Sequence, residues 1–111
     1  MGLLTGKFRA DSALPADDVR GTRAPSWMQY FEHGRPRPVY LRRVEAVRGV
    51  LCSEGRTLVQ GALAWLWARS PQTVPIPGFR TVAQVEENCA AMDLGPLNGE
   101  QMAEIERLLR R

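Results

Sequence analysis

Few residues able to make or break bonds are present in this sequence, and their spacing limits what they can do. His33 is the only histidine, so a Ser-His-Asp or Cys-His arrangement would have to use it. It stands beside Gly34 in a stretch rich in proline and arginine that reads as loop, which argues against a catalytic role. Cys52 and Cys89 are the only cysteines. They lie far apart with no C-x-x-C spacing, which excludes a cysteine-built zinc site and a dense disulfide framework. Both are expected to be buried, reduced thiols, because free cysteine packs as a small hydrophobe. Lys7 is the only lysine, so the positive balance is almost wholly arginine.

The chain has 111 residues, a formal net charge of +3, 44% hydrophobic residues and 24% charged ones. That composition suits a globular domain, or a piece of a larger one, rather than a disordered tail. The first seven residues have no apolar run of signal-peptide length before Lys7. The longest apolar run, around Ala62 to Ala68, falls far short of the roughly 20 residues that span a bilayer. A soluble, cytoplasmic protein without membrane contact is expected. A small positive charge is a weak pointer to nucleic acid, since clustering on a face matters more than the total.

These residues must be positioned by the elements around them. Residues 9–25 mix turn formers and charges without a period and read as a long loop. Pro25-Ser26 is expected to open a short helix through Glu32, with Trp27, Tyr30 and Phe31 at helical spacing and Gly34 ending it. From Val39 to Ser53, Val39, Val44, Val47, Val50 and Leu51 recur near a 3.6 period between arginines, predicting an amphipathic helix stopped at Glu54-Gly55. Thr57 caps a second helix reaching about Arg69. It is apolar nearly all round and should be wedged between other elements, with Trp65 and Trp67 as core packing. Thr73 to Gly78, apolar and broken by Pro75 and Pro77, predicts a brief strand. Thr81 and Gln84 form a T-x-x-Q capping box opening a helix to about Asp93, with Val82, Val85, Cys89 and Met92 as its apolar stripe. Residues 100–110 form a last amphipathic helix on Met102, Ile105, Leu108 and Leu109.

A lone short strand cannot satisfy its own N–H and C=O groups. Together with a helix apolar on all sides, it predicts packing partners outside these residues. The pattern is that of a fragment of a larger α/β protein.

Three stretches then carry a family resemblance. Gly2-Leu3-Leu4-Thr5-Gly6-Lys7-Phe8 resembles the segment after the seventh barrel strand of aldo/keto reductases. Gln60-Gly61-Ala62-Leu63-Ala64-Trp65 resembles that family's Q-x-A-L-A-W helix. Val74-Pro75-Ile76-Pro77-Gly78-Phe79-Arg80, followed by Gln84 and Glu86-Glu87-Asn88, resembles its I-P-G-x-R/K…Q-x-x-E-N signature after strand eight. All three occur in family order and spacing over essentially the whole chain. The resemblance implies an α/β fold, the C-terminal fragment of a (β/α)8 TIM barrel, mostly helical with one or two short strands. Residues 1–111 would form the last third of a domain for which about 250 residues are typical.

It further implies NADPH-dependent carbonyl reduction by the family and NADP(H) as cofactor. On this resemblance Arg80 would face the adenosine 2′-phosphate, where a planar, permanently charged guanidinium binds in bidentate fashion. Gly78 would permit close backbone approach, and Phe79 would offer its N–H near a helix N-terminus. Gln84, Glu87 and Asn88 match positions touching the 2′-phosphate and adenine end, while Lys7 and Arg20 match basic positions on the loop that closes over the pyrophosphate. Alternatives stand beside each. Gln84 can serve the capping box as well, Glu87 and Asn88 can be solvated helix residues, and Arg23 can take the place of Arg20.

The family's Asp, Tyr, Lys and His catalytic set belongs to the first half of the barrel. With one Lys, one His, and Tyr30 and Tyr40 outside any such motif, no catalytic residue is assigned here. The chain alone is therefore expected to be inactive, and to meet a small carbonyl substrate only where the rest of the barrel is supplied. The resemblance places Met1 where the family continues upstream through strand seven. In-frame DNA encoding the catalytic motifs would mark a displaced start, and unrelated DNA a remnant. Two other functions compete: a non-catalytic NADP-binding or regulatory subunit, and a helix-turn-helix module built from 39–53 and 57–69. The latter needs polar side chains early in its second helix, and Leu58, Val59 and Ala62 to Ala68 offer almost none.

Overall fold

Helix α1 (Pro38–Leu51) starts on Pro38, whose fixed φ and missing N–H suit a first helical position. This is a computed structural model, and it describes residues 1–110; Arg111, the end of the predicted domain, lies outside them. The predicted stripe of α1 is largely observed. Val47 and Leu51 are buried, Val39, Val44 and Val50 are partly covered, and Arg42 and Arg43 face outward. The helix ends in a 3-10 turn, Ser53–Gly55, where Glu54 and Gly55 take left-handed φ values of 59° and 80°.

Helix α2 (Leu58–Arg69) follows with a complete capping box. The Thr57 hydroxyl accepts from the Gln60 N–H, and the Gln60 side chain accepts from the Thr57 N–H. Helix α3 (Val82–Leu94) opens on Thr81 and Gln84 in the same way, and α4 (Gly99–Leu109) on Asn98 and Gln101. Each box satisfies two of the donors that a helix start leaves without partners.

The chain divides into two compact units, Met1–Glu45 and Ala46–Arg111, with the boundary inside α1. In the second unit, Val47, Leu51, Leu58, Leu63, Ala64, Ala91, Leu97 and Ile105 are the buried apolar side chains. Polar ties join the elements around them. The Leu97 N–H donates to the Ala64 carbonyl at 3.2 Å, and Gln101 Nε2 donates to Ser53 Oγ at 2.8 Å. Arg56, whose side chain is only 2% exposed, donates through Nη2 to the carbonyls of Leu94 (3.0 Å) and Gly95 (3.4 Å) at the end of α3. A cation there meets carbonyls the helix cannot satisfy itself. Gly61 lies against the end of α1: a Cβ on it would stand 2.0 Å from the Leu51 carbonyl oxygen.

In the first unit, a 3-10 turn (Leu3–Thr5) is followed by a run of hydrogen-bonded turns from Pro15 to Met28. Strands β1 (Phe31–Glu32) and β2 (Arg35–Pro36) then form an antiparallel hairpin, with Phe31 opposite Pro36 and Glu32 opposite Arg35. The helix predicted from Pro25 to Glu32 is absent. His33 and Gly34 both take positive φ, 52° and 75°, which is the two-residue loop that matches the twist of paired strands. Pro36 occupies the pair that needs no N–H, and the next bond outward, Arg37 N–H to Tyr30 carbonyl, is made at 3.0 Å. Phe31, read as a helical aromatic, is instead buried on β1.

Three further expectations are corrected. Residues 73–78 form no strand, because no other segment among the described residues offers them hydrogen-bonding neighbours, and Val74 and Ile76 are exposed. The stripe chosen for α3 is turned mostly outward: Val82, Cys89 and Met92 are exposed, and Ala91 is the buried residue. Cys89 is therefore not buried and Cys52 only partly so, although both are free. In α2, Trp65 and Trp67 are partly exposed and Leu66 is exposed, in keeping with the expectation that its further packing partners lie outside these residues. No helix among the described residues is long and apolar enough to cross a membrane.

Candidate functional site

The predicted site residues 78–88 lie on the approach to α3 and its first two turns. The Gln84 side chain organises them. Its Oε1 accepts from the Arg80 N–H at 2.6 Å and the Thr81 N–H at 3.2 Å, while the Gln84 N–H donates to Thr81 Oγ1 at 3.1 Å. The bland reading of Gln84 as a cap is thus observed, and the cap extends one residue further back, to Arg80. Asn88, one turn beyond Gln84 on the same helix face, reaches back with Nδ2 to the Gly78 carbonyl at 3.5 Å. Gly78, Arg80, Gln84 and Asn88 are therefore held together as a short loop strapped over a helix start.

What this strap leaves free matters for binding. The Arg80 side chain is exposed and makes no hydrogen bond or ion pair among the described residues. No acidic residue stands in the first turn of α3, so the positive end of the helix and the guanidinium are not neutralised locally. An ideal Cβ on Gly78 would meet nothing within 4 Å, leaving open space before the loop. Phe79 is exposed. Glu87 is partly buried, and its backbone carbonyl accepts from Gln60 Nε2 at 3.0 Å.

Lys7 and Arg20 belong to the other unit. Lys7 is exposed, with Nζ 5.1 Å from the Phe8 ring centroid. Arg20 is engaged in a local framework. Its Nε and Nη2 donate to the two Asp18 carboxylate oxygens at 2.8 and 2.7 Å, and Nη1 donates to the Met1 carbonyl at 3.2 Å. The guanidinium also lies 5.4 Å from the Phe8 centroid and 5.9 Å from that of Phe31. The hydrogen bonds to Asp18 hold the Arg20 pKa above its ordinary value against the opposing effect of burial. Arg23, the alternative, is exposed.

His33 sits in the hairpin turn, and no group of three His, Cys, Asp or Glu residues able to hold a metal occurs among the described residues. Gln60, the one polar side chain in α2 before Arg69, is buried and committed to the capping box and to Glu87. The helix consequently presents no polar group to read base edges. Sequence reasoning missed the role of Gln60, although Thr57-x-x-Gln60 and Asn98-x-x-Gln101 both carry the capping-box spacing seen at Thr81-x-x-Gln84.

The model of the aldo/keto reductase family matches residues 1–110, and the chain belongs to that family. It is similar to a chloroplastic pyridoxal reductase of Arabidopsis thaliana, 32% identical over 92% of this chain and 24% of that protein. A pyridoxine 4-dehydrogenase of Escherichia coli is 36% identical over 78% of this chain and 28% of its own length. An NADP(+) aldo-keto reductase, yakc, of Schizosaccharomyces pombe is 29% identical over 82% and 25%. The chain spans between 24% and 30% of the length of the curated relatives it matches. No solved structure gives a significant match.

Proposed function

We propose that this chain supplies the adenosine 2′-phosphate end of an NADP(H) site to an aldo/keto reductase. Carbonyl reduction would depend on barrel residues that it does not contain. The observation that carries this reading is the exposed Arg80 guanidinium, unpaired among the described residues, immediately before a capped helix start and next to the open space at Gly78. Such a donor set fits a phosphate dianion: a permanent planar cation beside the positive end of a helix. The amides of Gln84 and Asn88 fit hydrogen bonding at the adenine end, and Lys7 and Arg20 are the basic groups for the pyrophosphate. Of these two, Lys7 is the freer, since Arg20 already shares its charge with Asp18. When bound, the cofactor would supply hydride chemistry. The residues here would bind and orient its far end, hold no proton for the carbonyl and contribute no general acid. The chain alone is inactive on this reading.

Titration of the chain with adenosine 2′,5′-bisphosphate tests it. Saturable binding should weaken by about tenfold or more in Arg80→Ala, consistent with ~1.5–3 kcal/mol for a hydrogen bond to a charged group. Adenosine 5′-monophosphate should bind weakly and equally to both proteins. Equal affinity of wild type and variant for the bisphosphate would refute the assignment.

A further inference from the structure

We propose that Gln60 is a positioning residue for this site, holding α3 in the axial position from which Gln84 and Asn88 reach the loop. The proposal rests on the cofactor reading above and adds a residue outside the signature loop.

Gln60 is a buried polar side chain, 8% exposed, whose amide is satisfied at both ends. Oε1 accepts from the Thr57 N–H at 3.0 Å, and Nε2 donates to the Glu87 carbonyl at 3.0 Å. One planar group thereby joins the start of α2 to the middle of α3. The carbonyl it grips lies three residues after Gln84 and one before Asn88, within the turn that holds the strap. The start of α2 is itself a fixed reference, since Gly61 abuts the Leu51 backbone and leaves no room to slide. Arg56 holds the far end of α3 through the Leu94 and Gly95 carbonyls. With its end already held, displacement of α3 at Glu87 would swing the first turn, where Gln84 and Arg80 are joined. A buried donor cannot exchange this bond for one to water, so its loss is expressed as movement or as an unsatisfied carbonyl.

Gln60→Glu separates the two ends of the amide. A carboxylate still accepts from Thr57, but it opposes the Glu87 carbonyl with a second acceptor. A neutral carboxyl group can again donate to Glu87. NADP+ affinity of the full chain should therefore fall about tenfold relative to wild type at pH 8 in Q60E. The ratio should return toward one as pH drops through the introduced carboxyl's titration, which burial moves upward. Thr57→Ala removes the hydroxyl of the capping box and leaves the Gln60–Glu87 bond in place. It should lower the melting temperature without changing affinity. A ratio independent of pH in Q60E, or an equal affinity loss in Thr57→Ala, would overturn the proposal.

Amide hydrogen exchange across α3, compared with wild type at each pH, separates the two ideas. If wild-type chain binds no NADP+, the cofactor reading fails, and exchange alone decides the positioning role. Loss of α3 protection in Q60E at high pH, recovered at low pH and absent in Thr57→Ala, upholds it. Unchanged α3 protection overturns it.

Discussion

Placing alanine at two helical glycines should move stability in opposite directions, and the structure sets both signs. Gly49 in α1 has nothing within 4 Å of an added Cβ. Replacing it removes only the backbone freedom that glycine loses on folding, so Gly49→Ala should stabilise by about 0.5–1 kcal/mol. Gly61 in α2 gains the same helix propensity, but its Cβ would stand 2.0 Å from the Leu51 oxygen, 2.6 Å from its carbonyl carbon and 2.7 Å from its Cα. Those atoms are backbone and cannot rotate away. Overpacking typically costs about 1–3 kcal/mol, and contact with a rigid helix end belongs at the top of that range. After the gain in propensity, Gly61→Ala should lose about 2 kcal/mol. With a urea m-value of roughly 1–3 kcal/mol/M, the midpoint should fall by about 1 M. Urea titration followed by circular dichroism at 222 nm measures both variants. A Gly61→Ala protein as stable as Gly49→Ala would refute the close packing of α2 on the end of α1.

Other perturbations follow from described contacts. Arg56→Ala should cost about 3 kcal/mol by the same titration, because carbonyls at the end of α3 lose a buried charged donor; Arg56→Lys should rescue it only in part, since one ammonium cannot reproduce the planar fork. Gly34→Ala should destabilise the hairpin, where φ is 75° and a Cβ would lie 3.1 Å from the Leu14 carbonyl oxygen; about 1–2 kcal/mol is expected for a left-handed alanine. In α4, hydrogen bonds from Arg107 hold the Glu104 carboxyl below its ordinary value of 4.5. Its contribution is therefore present above the unfolded pKa and is lost as pH falls through the lower, folded one. Amide exchange in the last turn of α4 should accelerate on that acid side in wild type and not in Glu104→Gln.

What could be read from the sequence follows how local each cause is. Helices α1, α2, α3 and α4 were legible because periodicity and capping act within a few residues: Thr57 and Thr81 mark starts that need no tertiary knowledge, while Pro38 as the first residue of α1 came from the structure. The cap partner of Gln84 was legible through its spacing. The hairpin was not, because Trp27, Tyr30 and Phe31 happen to fall at helical spacing, while the deciding fact is the pair of positive φ values at His33 and Gly34. The inward face of α3 was misread for a similar reason. Hydrophobicity selects Val82, Cys89 and Met92, yet Ala91 is the residue that packs inward, and the Glu87 carbonyl is bonded to a glutamine distant in sequence. Gln60 was read only as part of the family motif, and the fold shows that its two ends hold the Thr57 N–H and the Glu87 carbonyl.

The apolar stretch Val74-Pro75-Ile76-Pro77 carries a consequence for how the protein behaves in concentrated solution. Val74 and Ile76 are 81% and 94% exposed, an arrangement that in most sequences would template stacking of one copy on another. Proline at every second position changes the outcome. In an extended chain, alternate residues turn their amides to opposite edges, and Pro75 and Pro77 have no N–H to offer. One edge of the segment thus lacks donors at Pro75 and Pro77, which disfavours addition of a further copy on that side. The same two prolines therefore work against amyloid-like pairing of this exposed segment.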